Sequence, residues 1–399
     1  MRYLENQTFD RLIRLTSGLA TVLLLGVGCG PEMPAEGIEN TQGALGSTEG
    51  QQTVANWNEL TTKITSTGNF LLTANIDATG KTWNPIDFTG TFDGNNKTIS
   101  NLTINVSNSV PAGFFSTLNN AIVRRVRFLN LRVTIHGGPF VGGLAGTSTE
   151  SSISDVGVEG TIGAAAAGDA GAAGGIVGVM DGGTMTRSYS KGAVNLATLY
   201  TGGLAGIAEA TSLSSPLIFQ CYSTATVTPA AGTFIFAGGL VGYSFGADIQ
   251  DVYATGNVTG GTWVGGLVGF AGCDDNFLFV LNHGVYRGNV TDRTRSWAGT
   301  VGGVGAGTFN ANCGARFDQL FWSTSADMST AHFVSPFVDP SLPVQAGATD
   351  ATLKAPTTAN GGVFHFADNT FQDTIWNAGT NQQHHVLQNM PGGLGIQPR

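Results

Sequence analysis

The sequence predicts an all-β chain folded as a parallel β-solenoid, a right-handed β-helix closed by short helical or strand caps. Three observations carry that expectation. A glycine doublet recurs at near-constant spacing, a strand-like segment follows it, and no stretch sustains a helical period. The doublets sit in "VGGLAG" (Val141–Gly146), "AGGIVG" (Ala173–Gly178), "TGGLAG" (Thr201–Gly206), "AGGLVG" (Ala237–Gly242), "VGGLVG" (Val264–Gly269) and a decayed "VGGVGAG" (Val301–Gly307). They are Gly142 with Gly143, Gly174 with Gly175, Gly202 with Gly203, Gly238 with Gly239, Gly265 with Gly266, and Gly302 with Gly303. The steps between second glycines are 32, 28, 36, 27 and 37 residues. A period near 32 with variable loops marks stacked repeats.

The second module reads "DVGVEGTI" (Asp155–Ile162), "RSYSKGAV" (Arg187–Val194), "QCYSTATV" (Gln220–Val227), "DVYATGNV" (Asp251–Val258) and "GVYRGNV" (Gly284–Val290), the last taken as one residue shorter. Small or apolar residues alternate at Val156, Ser188, Cys221 and Val252, and again at Val158, Ser190, Ser223 and Ala254. Period-two alternation over so few residues means short strands. Gly160, Gly192 and Gly256 then give tight corners that a Cβ would obstruct. Each period therefore supplies strands that pair in parallel with coils above and below, about 4.8 Å away. Glycines let walls approach while Leu, Ile and Val fill a narrow core. The right hand follows from the crossover preference of parallel strands.

Composition narrows the function. The chain has 399 residues with 59 glycines, 11% charged residues and a net charge of −9. Its longest basic run is "VRRVR" (Val123–Arg127), which reads as a solvated strand face. Nucleic-acid binding, which needs a dominant positive surface, is not expected.

The start reads as an export signal. Arg2, Arg11 and Arg14 precede the uncharged "LTSGLATVLLLGVG", fourteen residues ending before Cys29. That run is short for a membrane span and suits a signal-peptide core. Cys29 after small residues resembles a bacterial lipobox, although Leu25 stands one place early and Gly26 occupies the usual leucine position. The resemblance implies acylation of Cys29 and, with Gly30 following, an outer-membrane or cell-surface address. The alternative is an ordinary secretory signal. The expected domains are a leader over 1–28, a Pro/Gly/Glu-rich tether over 29–52, the solenoid over 53–325, and a C-terminal loop and closing cap over 326–399. "NWNELTTKI" (Asn56–Ile64) carries an Asn-x-x-Glu capping box and predicts a short capping helix.

"GGLVG" followed by "YATGNV" resembles the GLUG repeat family of large bacterial surface proteins and of extracellular regions of some IgA-cleaving peptidases. "FLLTANIDATGKTWNPI" (Phe70–Ile86) and "FTGTFDGNNKTISNLTI" (Phe88–Ile104) are similar to the coils that precede such arrays. The resemblance implies a surface scaffold. The zinc signature of the peptidases does not occur here, so that chemistry is not carried over.

Few residues point to chemistry. Cys273 and Cys313 follow doublets on consecutive coils, close enough for a disulfide in an exported protein; two free thiols are the alternative. Cys221 falls in an inward column. Tyr189, Tyr222, Tyr253 and Tyr286 occupy one aligned column, either a packed aromatic ladder or a strip on which sugar faces stack. Asp155 and Asp251 share a column separated by Arg187 and Gln220. "CDDN" (Cys273–Asn276) lacks the spaced ligands of a calcium loop. No catalytic residue, cofactor or metal is assigned. The expected role is a surface-displayed adhesive or structural module, held to the membrane by its lipid and binding a surface protein or polysaccharide. The competing expectation is a polysaccharide-degrading enzyme, which needs clustered carboxylates.

Overall fold

Gly142, Gly174, Gly202, Gly238 and Gly265 lie opposite one another in successive parallel strands. This computed structural model describes residues 50–322, apart from 108–109, 167–169, 196, 198, 232–234, 274–276, 287, 292–296, 302–303 and 307–315, together with 376–377 and 386–387. The chain divides into units Met1–Leu45 and Gly46–Arg399, and every described residue lies in the second. Cys29, Cys313, Gly302, Gly303, the leader, almost all of the tether and nearly all of 326–399 lie outside the described residues.

The second glycines form a row of their own. A Cβ on Gly175, Gly203 or Gly239 would stand 2.0–2.1 Å from the carbonyl oxygen of the matching glycine on the next coil. No side chain fits such a gap, so the doublet is demanded by close approach of two backbones. Between the glycines, Leu144, Ile176, Leu204, Leu240 and Leu267 are fully buried in the interior. Each such side chain contributes about 2 kcal/mol by leaving water. A third glycine, Gly178, Gly206, Gly242 or Gly269, lies within 2.5–2.7 Å of its counterpart's carbonyl by the same measure. The GGLxG spacing is thus a recipe for two thin walls around one apolar residue.

The coils build two parallel sheets, of 17 and 13 strands among the described residues. The first sheet starts at Gln51–Val54, two residues inside the stretch read as tether, and runs to Arg316–Trp322. The second carries the glycine doublets. In the first sheet each coil turns at a polar residue in the left-handed region: Arg125 (φ 55°), Asp155 (56°), Arg187 (45°), Gln220 (57°) and Asp251 (51°). The sequence places corners at the later glycines instead. Gly192 does adopt φ 119°; Gly160 and Gly256 are required because an added Cβ would lie 1.8 Å from a carbonyl of the preceding coil.

Two registers differ from the sequence alignment. Gly265 lies opposite Gly299, with Trp263 opposite Trp297, so the last doublet row continues in "WAG" and not at Gly302. In the first sheet Tyr253 lies opposite Val285, while Tyr286 lies opposite Ala254. The fifth copy keeps its full length, and Tyr286 leaves the tyrosine column for the interior. Gly266 makes the room: a Cβ there would touch the Tyr286 ring at 2.3 Å.

The N-terminal capping helix is present. Trp57–Lys63 is a helix whose N-cap Asn56 accepts from the Glu59 amide at 3.0 Å. Glu59 reaches back to the amide of Ala55 at 2.9 Å, one residue beyond the usual capping-box donor. Leu60 is fully buried and Ile64 nearly so, seating the helix on the coil end. Trp376–Asn377 and Val386–Leu387 pair antiparallel.

Candidate ligand-binding face

The tyrosine column of the first sheet is a closed ladder. Tyr189 and Tyr222 stack with centroids 5.1 Å apart and planes 7° apart; Tyr222 and Tyr253 follow at 4.8 Å and 5°. Each is 3% exposed, so no ring face is open to a sugar. Tyr189 donates to Glu159 at 2.7 Å, and Arg127 donates to both Tyr189 (3.2 Å) and Glu159 (3.1 Å). Burial, followed by the Glu159 charge, pushes the Tyr189 phenol well above its ordinary value. Tyr286, inside the core, donates to the Gly256 carbonyl at 3.3 Å.

Cys221 and the polar corners settle into structural roles. Cys221 is fully buried, and burial pushes its thiol up to about 12, far from a reactive thiolate. Cys273 stands opposite Ala306 along the backbone. At the polar corners, Asp155 pairs with Arg187 at 2.7 Å, and the nearly unexposed Asp93 binds Arg124 at 3.0 Å and Arg125. Burial alone would raise the Asp93 carboxyl, but the Arg125 hydrogen bond and both arginine charges hold it below the ordinary range. These pairs link successive coils.

The open surface lies on the other sheet. Phe140, Ala172, Tyr200, Phe236 and Trp263 share one register column. Their chain neighbours Val141, Ala173, Thr201, Ala237 and Val264 are fully buried, so strand alternation turns the aromatic column outward. Thr147, Val179, Ile207, Tyr243 and Phe270 form a second column. The residues that follow them, Ser148, Met180, Ala208, Ser244 and Ala271, are buried, and the second column also faces out. Ala172, Val179 and Ile207 make a small cluster apart from the main core, with Phe140, Tyr200 and Tyr243 packed against it.

Ring geometry leaves part of this surface uncovered. Tyr200 and Phe236 are 5.4 Å and 16° apart, Phe236 and Trp263 6.2 Å and 11°, Tyr243 and Phe270 5.7 Å and 1°. Near-parallel planes in contact at about 3.5 Å reach those centroid distances only by slipping roughly 4–5 Å, so the rings overlap like shingles. Across the columns Phe236 meets Tyr243 at 71° and Trp263 meets Phe270 at 81°. All five rings are half-buried.

A third outward column adds charge. Thr149, Asp181, Glu209 and Phe245 lie opposite one another. Asp181 and Glu209 therefore stand on adjacent coils, their backbones a strand spacing of about 4.8 Å apart. Burial first, then the charges of Glu209 and Glu150, push the Asp181 carboxyl up to about 7. Glu150 accepts from Ser214 Oγ at 2.6 Å and from Thr211 Oγ1. Among the described residues no group of His, Cys, Asp and Glu is arranged to hold a metal ion.

The repeat alignment singles out the tyrosine column, which packs as a ladder, and does not single out this face. The signal stands two residues before four of the doublets (Phe140, Tyr200, Phe236, Trp263) and directly after three of the third glycines (Ile207, Tyr243, Phe270). The family model described as "The GLUG motif" matches residues 237–259, a span that begins directly after Phe236 and contains Tyr243. This chain carries a GLUG motif. The matched residues hold Gly238 and Gly239 of the glycine rows, buried Leu240, left-handed Asp251 and stacked Tyr253, most of one turn of the solenoid. No curated protein matches the chain. Among solved structures, a candidate immunoglobulin A1 protease from Bacteroides ovatus is similar over 84% of this chain and 91% of that one, at 19% identity and a TM-score of 0.53. That likeness shows the fold. An "IgA1 Protease" structure is similar over 73% of this chain and 21% of that one, at 16% identity and a TM-score of 0.43.

Proposed function

We propose that this protein is a surface-displayed adhesive module, lipid-anchored through Cys29 and non-catalytic, that presents the aromatic face of its GLUG coils to a partner on another surface. One observation carries the reading: five partly open aromatic rings lie in two continuous columns on a rigid sheet. Isolated apolar side chains on a surface need no explanation, but a contiguous patch of them marks a contact site. No helix among the described residues is long and apolar enough to cross a membrane; the anchor proposed is the acylated cysteine. Cells displaying the full chain should adhere to their target surface, and Tyr243→Ala with Phe270→Ala should abolish adhesion while surface display is retained. Unchanged adhesion in that variant would sink the reading. For the anchor, metabolic palmitate should label the wild type and not Cys29→Ala; equal membrane retention of both would count against it.

A second reading, cleavage of an extracellular polysaccharide, draws support from Asp181 and Glu209. Two acidic residues on adjacent coils, one of them holding its proton to about 7, offer the acid and carboxylate that a glycosidase pair needs. Release of reducing ends from a polysaccharide panel, lost in Glu209→Gln, would favour the enzyme. Absence of release across the panel would leave the adhesive module.

A further inference from the structure

We infer that the outer face of the second sheet binds a neutral, β-linked polysaccharide chain laid along the solenoid axis, one sugar ring per coil. The inference rests on the adhesive reading and names its ligand class. Three properties of the face converge on that chemistry.

The first is pitch. Tyr200, Phe236 and Trp263 recur once per coil, and coils are separated by about 4.8 Å. An extended β-linked pyranose chain advances by a similar step per ring, so its rings can stay in phase with the rungs over several coils. A polypeptide strand or a lipid has no such matching repeat of flat units.

The second is shape. Slipped rings leave part of each aromatic face uncovered, and a pyranose offers a flat face of C–H bonds that fits against it. The closed ladder of Tyr189, Tyr222 and Tyr253 shows the contrast, because its rings also stack but are sealed from solvent.

The third is charge complementarity. Asp181 and Glu209 stand two residues along their strands from Val179 and Ile207, on the same outward side. The three outward columns contain no lysine or arginine among their described residues. An anionic polysaccharide would be repelled by this acidic pair. A neutral glycan is rich in hydroxyl donors, which a carboxylate accepts. A dry apolar protein surface pressed over this acidic pair would offer it no hydrogen bond. A second copy of this chain would bring further carboxylates and no base from these columns.

The test uses the full chain and defined probes: chitohexaose and cellohexaose as neutral β-linked oligosaccharides, and polygalacturonate as the anionic comparison. Titration calorimetry should show binding of at least one neutral probe, and at least tenfold weaker binding of polygalacturonate. Tyr243→Ala and Phe270→Ala should each weaken neutral binding at least tenfold with the circular dichroism unchanged. The conservative Tyr243→Phe and Trp263→Phe, which keep the packing, should bind within threefold of wild type, so a folding defect in the alanine variants does not leave the matter open. Failure of both neutral probes, preference for polygalacturonate, or alanine variants that fold and bind normally would each overturn the inference. Concentration-dependent dimers that vanish in Phe270→Ala would assign the face to a second copy and overturn it too. If Phe270→Ala abolishes cell adhesion while no neutral probe binds, the adhesive module stands and the ligand class falls.

Discussion

Two aromatic ladders run along this solenoid, and they differ in what their rings touch. Tyr189, Tyr222 and Tyr253 stack 4.8–5.1 Å apart and are sealed at 3% exposure. On the other sheet, Tyr200, Phe236 and Trp263, with Tyr243 and Phe270 beside them, are spaced 5.4–6.2 Å and remain half-open. Both arise from the same cause, since a repeat places like residues over like. Only the surroundings separate them. The closed ladder ends on the buried Arg127 and the Glu159 carboxylate, whereas the open one is bordered by Asp181 and Glu209 on the outer surface. A column of aromatics is therefore a consequence of stacking, and its exposure is what makes it a candidate site.

The largest expected effect removes the scaffold beneath both ladders. Gly203→Ala would place a Cβ 2.0 Å from the Gly239 carbonyl and 2.3 Å from Ser223 Oγ. Neither neighbour can retreat without separating coils, so the variant should lose more than about 4 kcal/mol, read as loss of the cooperative denaturant transition. Gly80→Ala is the control: φ is 69° but nothing lies within 4 Å, and the cost should be about 1–2 kcal/mol for the left-handed conformation alone. Equal losses at both positions would refute the close-approach account of the doublets.

Next comes the closed ladder itself. Tyr222→Ala leaves a gap between Tyr189 and Tyr253 that their backbones cannot close, and should cost about 3–5 kcal/mol in urea or guanidinium unfolding. The buried phenols also set an alkaline limit. Tyr189 and Tyr222 have raised pKa values from burial, so the folded chain keeps protons that the unfolded chain releases near pH 10. Stability is fully present below that value and falls as pH rises above it. Spectrophotometric titration should find these phenols ionising together with unfolding; reversible ionisation in the folded protein would contradict the seal.

At the border of the open ladder the effect is smaller and its sign is distinctive. Asp181 has its carboxyl raised to about 7 from a usual 3.8. The folded state therefore holds a proton that the unfolded state has lost between those values. Stability should fall as pH rises from about 4 to about 7 and then level off. Each unit is worth about 1.4 kcal/mol; the residue keeps some water contact, so a total near ~2 kcal/mol is expected. Asp181→Asn should remove that slope and be the more stable protein at pH 8. A wild-type profile that rises over this window would reverse the argument.

How much of this was legible in the sequence follows from what repetition encodes. The solenoid could be read because Gly142 through Gly265 recur with their apolar partners, and a doublet of glycines around Leu or Ile has no use in an isolated strand. Cys221 could be placed inside because its column holds valine and serine. Tyr286 could not be placed. Its copy was aligned on the tyrosine, while the fold keeps constant length from Val252–Val258 to Gly284–Val290 and lets the ring occupy space left by Gly266. The doublet at Gly302 misled for the same reason, since "SWAG" supplies the tryptophan and the glycine that the row needs. The left-handed corners at Arg125, Asp155 and Arg187 carry no glycine and gave no local signal. Exposure was the hardest property to read, because whether a column is sealed depends on Arg127 and Glu159, which belong to other coils.

The smallest stability effect should fall where the functional effect is greatest. Tyr243→Ala removes a ring that is partly in water, packed against Ile207, Tyr200 and Phe236 and slipped against Phe270. About half of a buried aromatic's transfer free energy is then at stake, roughly 1–1.5 kcal/mol, and the site is open enough for solvent to fill. Thermal and denaturant midpoints should move little, in contrast to Tyr222→Ala one sheet away. If the two substitutions cost the same, the ladders are equally packed and the open face is merely another structural column. If Tyr243→Ala is the milder by about 2 kcal/mol and still abolishes adhesion, the two ladders differ in purpose as well as in exposure.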